Sequence, residues 1–185
     1  MSELRLSGGA YRGRRLRVPH GVRPTEGRLR EALFSIWQGE IDGARFLDLF
    51  AGAGAVGLEA LGRGAERAVL VEGDPRTLRT LKENVATLGA EAERAARLYR
   101  LRLPAGLTVL REREAPFWLA FVDPPYGFDE GGKLLAALAP LLVNGGAAAF
   151  EHASRDKPPP APPGLDFAET RCYGGSCLSF YRAVA

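Results

Sequence analysis

The amino-acid sequence predicts a single α/β unit whose sheet is mostly parallel and ends in an antiparallel hairpin. Three observations predict it. From Arg45 onward, short apolar runs alternate with segments of helical periodicity, the order expected of βαβ units. The first run is followed at once by Gly52-Ala53-Gly54-Ala55-Val56-Gly57, a glycine-rich turn that can lead a strand into a helix. The last two runs flank Gly174-Gly175-Ser176, a hairpin signal.

The elements follow in order. Leu6, Ala10, Leu16 and Val18 alternate with arginines around Gly8-Gly9 and Gly13, which reads as a short β-ribbon with basic outer positions. A helix comes next, with Thr25 as the expected N-cap, one apolar face from Leu29, Ala32, Leu33, Ile36 and Trp37, and Gly39 at its end. Strands are expected at Phe46 to Phe50, Ala68 to Glu72, Arg97 to Leu101, Trp118 to Val122 and Ala147 to Glu151. Between the second and third lies a helix from Pro75 to Leu88, with Asp74 as N-cap, Pro75 at the first helical position and Gly89 just beyond. A second helix is expected from Lys133 to Leu142, bent at Pro140. The five prolines between Lys157 and Pro163 make that stretch an ordered loop, and Phe167 to Tyr173 and Cys177 to Arg182 form the hairpin.

With 185 residues, 46% hydrophobic and 25% charged, the chain can bury one full core. The longest apolar stretch, Leu134 to Val143, includes Pro140 and falls short of the ~20 residues that cross a bilayer, so no membrane span is expected. Arg5 stands close to Met1 with no apolar run behind it, so no export or lipidation signal is expected; the expected location is cytoplasmic, with the two cysteines reduced. Charge is uneven. Residues 1–30 carry eight arginines against Glu3 and Glu26, a net +6, and the other 155 residues sum to −3. Such a front end suits an arm that meets phosphates, with Arg12, Arg14, Arg15, Arg17 and Arg23 as candidates; the alternative is an arginine-rich solvated surface.

Two motifs carry chemistry. The glycine turn, with Glu72 ending the next strand 18 residues after Gly54, is the arrangement that binds a nucleotide or nucleoside through its ribose. Asp48, on the strand before the turn, would repel a pyrophosphate and attract a cationic amino-acid end, so the preferred ligand is S-adenosylmethionine rather than NAD. Asp123-Pro124-Pro125-Tyr126 follows the apolar run Phe117 to Val122; its prolines fix the backbone and remove two N–H donors. What remains is a carboxylate, carbonyl oxygens and an aromatic face. These are the groups needed to accept both hydrogens of an exocyclic amine, while Tyr126 stacks on the base.

Together, Phe46 to Gly54, Val71-Glu72-Gly73-Asp74 and Asp123 to Tyr126 resemble the Rossmann-like class I S-adenosylmethionine-dependent methyltransferases that modify amino groups. With Arg23-Pro24-Thr25, Arg28, Arg30-Glu31-Ala32-Leu33-Phe34 and Arg171-Cys172-Tyr173-Gly174, nearly the whole chain resembles the bacterial small-subunit rRNA guanine-N2 methyltransferases. The resemblance implies a seven-stranded sheet with a terminal hairpin in residues 41–185, a basic β-ribbon and helix in residues 1–40, and methylation of N2 of a guanine in 16S rRNA or the assembling small subunit. It places Thr25, Asp48, Phe50, Gly52, Gly54, Glu72, Asp74 and Arg102 at the cofactor and Asp123, Pro124, Pro125 and Tyr126 at the target amine. In one departure, Leu98-Tyr99-Arg100-Leu101-Arg102-Leu103 stands where that family has Asp or Asn beside the adenine, leaving backbone groups near Arg102 for that contact. A monomer is expected, with no metal, since His20, His152 and the two cysteines lack ligand spacing. Cys172 and Cys177 are expected as paired small hydrophobes, and Glu151-His152 as structural. An amino methyltransferase acting on DNA adenine or protein glutamine fits the same loops, and a non-catalytic RNA-binding or NAD-sensing domain is the alternative of a different class.

Overall fold

The computed structural model describes residues 2–22 and 25–185. A two-stranded antiparallel ribbon, β1 (Ser2–Arg5) and β2 (Arg15–Val18), precedes helix α1 (Gly27–Ile36). The main sheet follows: β3 (Arg45–Leu49), α2 (Ala55–Gly62), β4 (Arg67–Val71), α3 (Pro75–Leu88), α4 (Ala90–Ala95), β5 (Ala96–Tyr99), α5 (Leu107–Arg113), β6 (Phe117–Val122), α6 (Gly131–Leu138), β7 (Leu142–Ala153), β8 (Leu165–Tyr173) and β9 (Ser176–Ala183). Its seven strands run in the order β5-β4-β3-β6-β7-β9-β8, parallel from β5 through β7 and antiparallel in the last two pairings. The expected sheet and hairpin are therefore present.

Alternation along each central strand divides the core. Phe46, Ala68, Leu70, Leu119 and Phe121 point to the face covered by α1, α2, α3 and α4, whereas Leu47, Leu49, Val69, Val71, Ala120 and Val122 point to the face covered by α5 and α6. Leu6 and Leu16 of the ribbon segment join the first face, so the amino-terminal residues share the main core.

The chain order reverses between β3 and β6: the connections after β3 move toward β5, and after β6 they move toward β8. In an open parallel sheet such a reversal leaves a crevice at the carboxyl ends of the two strands. The glycine turn leaves β3 there, and Asp123 leaves β6 at the same place.

Several expectations are corrected. Glu26, not Thr25, precedes α1, and among the described residues no side chain caps that helix. The third strand ends at Tyr99, with Leu101 beyond it, and the fifth extends to Leu142–Ala153. The helix expected through Pro140 ends at Leu138 and tightens into a 3-10 turn over Ala139–Leu141, because proline lacks the N–H that would continue the α-helical pattern. Helices α4 and α5 were too short to show a period in the sequence. Cys172 and Cys177 face each other across the β8–β9 pairing and are joined in a disulfide, replacing the expectation of two reduced thiols; the hairpin register brings their Cα atoms to 4.0 Å. Among the described residues no helix is long and apolar enough to cross a membrane.

The ribbon and α1 are fastened by a buried charge. Glu59 of α2, with no exposed surface, accepts hydrogen bonds from Ser7 N (3.0 Å), Ser7 Oγ (2.7 Å) and Arg63 Nε (3.0 Å), and from Arg30 Nε at 3.4 Å. Arg30, itself 4% exposed, also donates to Thr25 O (2.6 Å) and Arg5 O (2.8 Å). Burial alone would raise the Glu59 pKa, but the bonds from Ser7 and Arg63 and the charge of Arg30 outweigh it and hold the carboxyl below its ordinary value. Glu59→Gln leaves Arg30 buried without its counter-charge and is expected to destabilise the fold by about 3 kcal/mol at neutral pH. Because a lowered pKa contributes stability only above the ordinary carboxylate range, the gap between variant and wild type should shrink as pH falls through that range; urea unfolding at pH 7 and pH 3.5 checks both.

Candidate active site

A cleft of about 630 Å³ opens at the reversal point. Its inner half is built by the β3–α2 connection. Phe50 turns out of the strand with φ 62°, a left-handed conformation unusual for a large side chain, and its ring meets Phe128 edge-on at 5.3 Å. Gly54 follows with φ 86°; a Cβ there would come within 2.3 Å of Leu81 Cδ1. Gly57 lets α2 lie against β4, since its Cβ would meet Leu70 Cδ2 at 2.7 Å. At Gly54 the left-handed backbone itself favours glycine, and at Gly57 a side chain would require Leu70 to shift.

Asp48 lies at the floor of this half, 2% exposed, and Gly57 N donates to its Oδ2 at 2.8 Å. Burial pushes its pKa up to about 8; the Gly57 bond opposes this, and the charges of Asp123 and Glu72 add to it. Glu72 follows the last residue of β4 and accepts from Gly52 N (3.0 Å) through one oxygen and from Asp74 N (2.8 Å) through the other. Both bonds come from backbone, so the carboxylate is held at the cleft wall with further lone pairs available to a hydroxyl.

The outer half is bounded by the loop after β6. Asp123 N donates to Leu49 O at 3.3 Å, and Phe128 N to Pro125 O at 3.1 Å, so the Asp-Pro-Pro-Tyr loop closes as a turn with Tyr126 65% exposed above the cleft. Thr25 Oγ1 donates to Asp123 Oδ2 at 3.2 Å across 98 residues of sequence. Glu151, His152, Ser176 and the proline-rich segment Asp156 to Pro160 complete the opposite wall; Tyr181 donates its hydroxyl to Pro159 O at 2.6 Å and holds that segment down.

Of the residues expected at the cofactor, Thr25, Asp48, Phe50, Gly52 and Glu72 line this cleft, and Gly54 shapes its turn without lining it. Asp74 does not line it: its carboxylate accepts from Thr77 N at 2.7 Å and caps α3. Arg102 is carried to a separate depression with Leu103, Pro104, Thr108 and Arg111, because the chain turns away after β5. Asp123, Pro124, Pro125 and Tyr126 all line the cleft.

The candidate phosphate contacts lie elsewhere on the surface. Arg15 and Arg17 occupy the exposed positions of β2 and pair with Glu3 (3.1 Å) and Glu83 (3.5 Å), while Arg12 and Arg14 lie in the turn between strands, Arg14 donating to Thr87 O. Arg23 lies outside the described residues. Sequence reasoning missed the Phe50–Phe128 contact, Gly21 and Val22, and the proline-rich wall; only the five prolines signalled that the last was ordered.

Electrostatics decides what the cleft can hold. Its described lining includes Asp48, Glu72, Asp123, Asp129, Glu151 and Asp156 against one lysine, Lys157. A pyrophosphate would meet several like charges, whereas a ligand with a sulfonium and an ammonium meets opposite ones. Residues and ligand fit in the case of S-adenosylmethionine: a cationic end beside Asp48 would favour loss of the proton that burial retains there, and Glu72 stands where ribose hydroxyls can be accepted.

This sheet order, with a glycine turn and an Asp-Pro-Pro-Tyr loop meeting at its reversal point, defines a class I methyltransferase. More narrowly, residues 4–182 match the family described as "Conserved hypothetical protein 95", and the chain belongs to that family. It is 32% identical over 183 residues to a Bacillus subtilis protein named "Putative rRNA methyltransferase YlbH", covering 97% of this chain and 98% of that one. It is 41% identical over 126 residues to "Ribosomal RNA small subunit methyltransferase D" of Escherichia coli K12, covering 67% of this chain and 61% of that one. The solved structure of "Putative methyltransferase yhhF" from Escherichia coli superposes with a TM-score of 0.85 at 30% identity, covering 100% and 99% of the two chains.

The Asp48 pKa has a consequence for stability. Its proton is held to about pH 8 in the fold but only to about 3.8 in an unfolded chain, so folding loses stability progressively as pH rises between those values. Asp48→Asn removes this penalty and keeps an acceptor for Gly57 N. In the absence of ligand, its stability relative to wild type should rise by at least ~1 kcal/mol between pH 5 and pH 8 in denaturant titrations.

Proposed function

We propose that this chain transfers a methyl group from S-adenosylmethionine to the exocyclic N2 amino group of a guanine in 16S rRNA. The observation that carries the reading is the placement of the Asp-Pro-Pro-Tyr loop beside an acid-lined nucleoside cleft at the sheet's reversal point. The names of the relatives support an rRNA substrate in the small subunit. The narrower guanine-N2 assignment rests on the sequence resemblance.

When bound, S-adenosylmethionine supplies an electrophilic methyl on a positively charged sulfur. The chain's part is positional. Asp48 and Glu72 hold the cofactor's cationic and ribose ends. Asp123 accepts one N–H of the target amine and the Pro124 carbonyl the other. This draws the nitrogen lone pair out of conjugation with the ring and toward the methyl. Methyl transfer would leave the amine with one proton to lose, and the Asp123 carboxylate is placed to accept it or pass it to water. Tyr126, exposed at the rim, is placed to stack on a base turned out of its own strand. Ribbon arginines contact phosphates of the same RNA, exchanging exposed ion pairs that contribute only ~0–1 kcal/mol each.

The test is incubation with labelled S-adenosylmethionine and, separately, naked rRNAs, small subunits and DNA, followed by identification of the modified nucleoside. N2-methylguanosine in small-subunit rRNA is expected; label in adenine or in protein would overturn the assignment. Asp123→Ala should lower the rate roughly 100-fold or more with little change in cofactor affinity by calorimetry, and NAD should not bind. Tyr126→Phe should retain far more activity than Tyr126→Ala.

The arm is tested by salt. Each phosphate contact on a single strand adds roughly 0.7 to the slope of log affinity against log salt. Replacing Arg12, Arg14 and Arg15 together by alanine should weaken RNA binding, reduce the slope by about two units and leave S-adenosylmethionine binding intact. Equal slopes in the two proteins would assign these arginines to solvent.

A further inference from the structure

We propose that Thr25 is a positioning residue for Asp123, and that the amino-terminal segment thereby sets the orientation of the carboxylate at the target amine. The inference rests on the preceding reading of Asp123.

Asp123 sits on a backbone with little freedom. The residue before a proline is confined to extended conformations, Pro124 and Pro125 fix the next torsions, and Asp123 N is held by Leu49 O. The remaining freedom is in the side chain. Thr25 Oγ1 donates to Oδ2 at 3.2 Å, which restrains rotation of the carboxylate.

Thr25 is itself restrained. It is 9% exposed, and its carbonyl accepts from Arg30 Nη1 at 2.6 Å. That guanidinium is bound through Nε to Glu59 of α2 and through Nη2 to Arg5 O. Moving Thr25 away from Asp123 therefore means disturbing a buried ion pair. The path from Glu59 through Arg30 to Thr25 joins the helix behind the glycine turn to the carboxylate across the cleft.

The cap position of α1 belongs to Glu26, so the Thr25 hydroxyl is not drawn to that helix and is engaged by Asp123.

Thr25→Val keeps the shape and removes the hydroxyl; Thr25→Ser keeps the hydroxyl. With the substrate on which wild type is active, Thr25→Val should lower kcat roughly 10- to 100-fold, the range of one hydrogen bond to a charged group. KM for the RNA and calorimetric Kd for S-adenosylhomocysteine should stay within about twofold, and Thr25→Ser should recover most of the rate. In the Asp123→Ala background the valine substitution should cost nothing further. Four outcomes overturn the proposal: wild-type kcat in Thr25→Val, a serine variant no better than valine, a loss confined to cofactor Kd, or independent losses in the double variant. Asp123→Ala separates the two levels. If it is fully active, the assigned role of Asp123 fails; if it is impaired while Thr25→Val is not, only the role of Thr25 fails.

Discussion

Glu59 has no contact with solvent, yet it carries a charge and receives bonds from three directions: the turn after β1, the start of α1 and the last turn of α2. A carboxylate in such a place is tolerable only with its partners present, so the ribbon, α1 and α2 are held in one arrangement. Apolar contacts from Leu6, Leu16, Leu33 and Trp37 supply the burial on the same face but have no direction of their own. The Glu59–Arg30 pair supplies the direction. Through the Thr25 carbonyl it also fixes where the amino-terminal segment enters the cleft.

The cleft is made by topology and its selectivity by charge. Reversal of the strand order between β3 and β6 opens a crevice, and two short loops line it because both strands end there. Burial makes Asp48 hold a proton to about pH 8, and repulsion from Asp123 and Glu72 adds to the effect. A cationic ligand relieves that repulsion. The carboxylates that oppose ionisation of Asp48 are therefore the same ones that disfavour a phosphate and favour a cation.

Much of this was legible in the sequence. Apolar runs, the glycine turn and the terminal Gly-Gly-Ser predict a parallel sheet ending in a hairpin, because strand and helix periods depend on neighbours only a few residues away. The Asp74 cap of α3 and the Asp-Pro-Pro-Tyr turn are local in the same sense. The length of α6 was overestimated because an apolar run continues through Pro140 while the backbone cannot.

What the sequence by itself determined was the order of the strands, the acidic and basic inventory, and the two loops that carry chemistry, since each is encoded in contiguous residues. Tertiary structure alone decided which groups meet. It brought Thr25 to Asp123, Glu59 to Arg30, Phe50 to Phe128 and Cys172 to Cys177, and it carried Arg102 away from the cleft. The physical reason is that these pairings depend on strand order, register and the direction the chain takes after each strand. Those are settled by burial of the whole core, and no short window of residues specifies them.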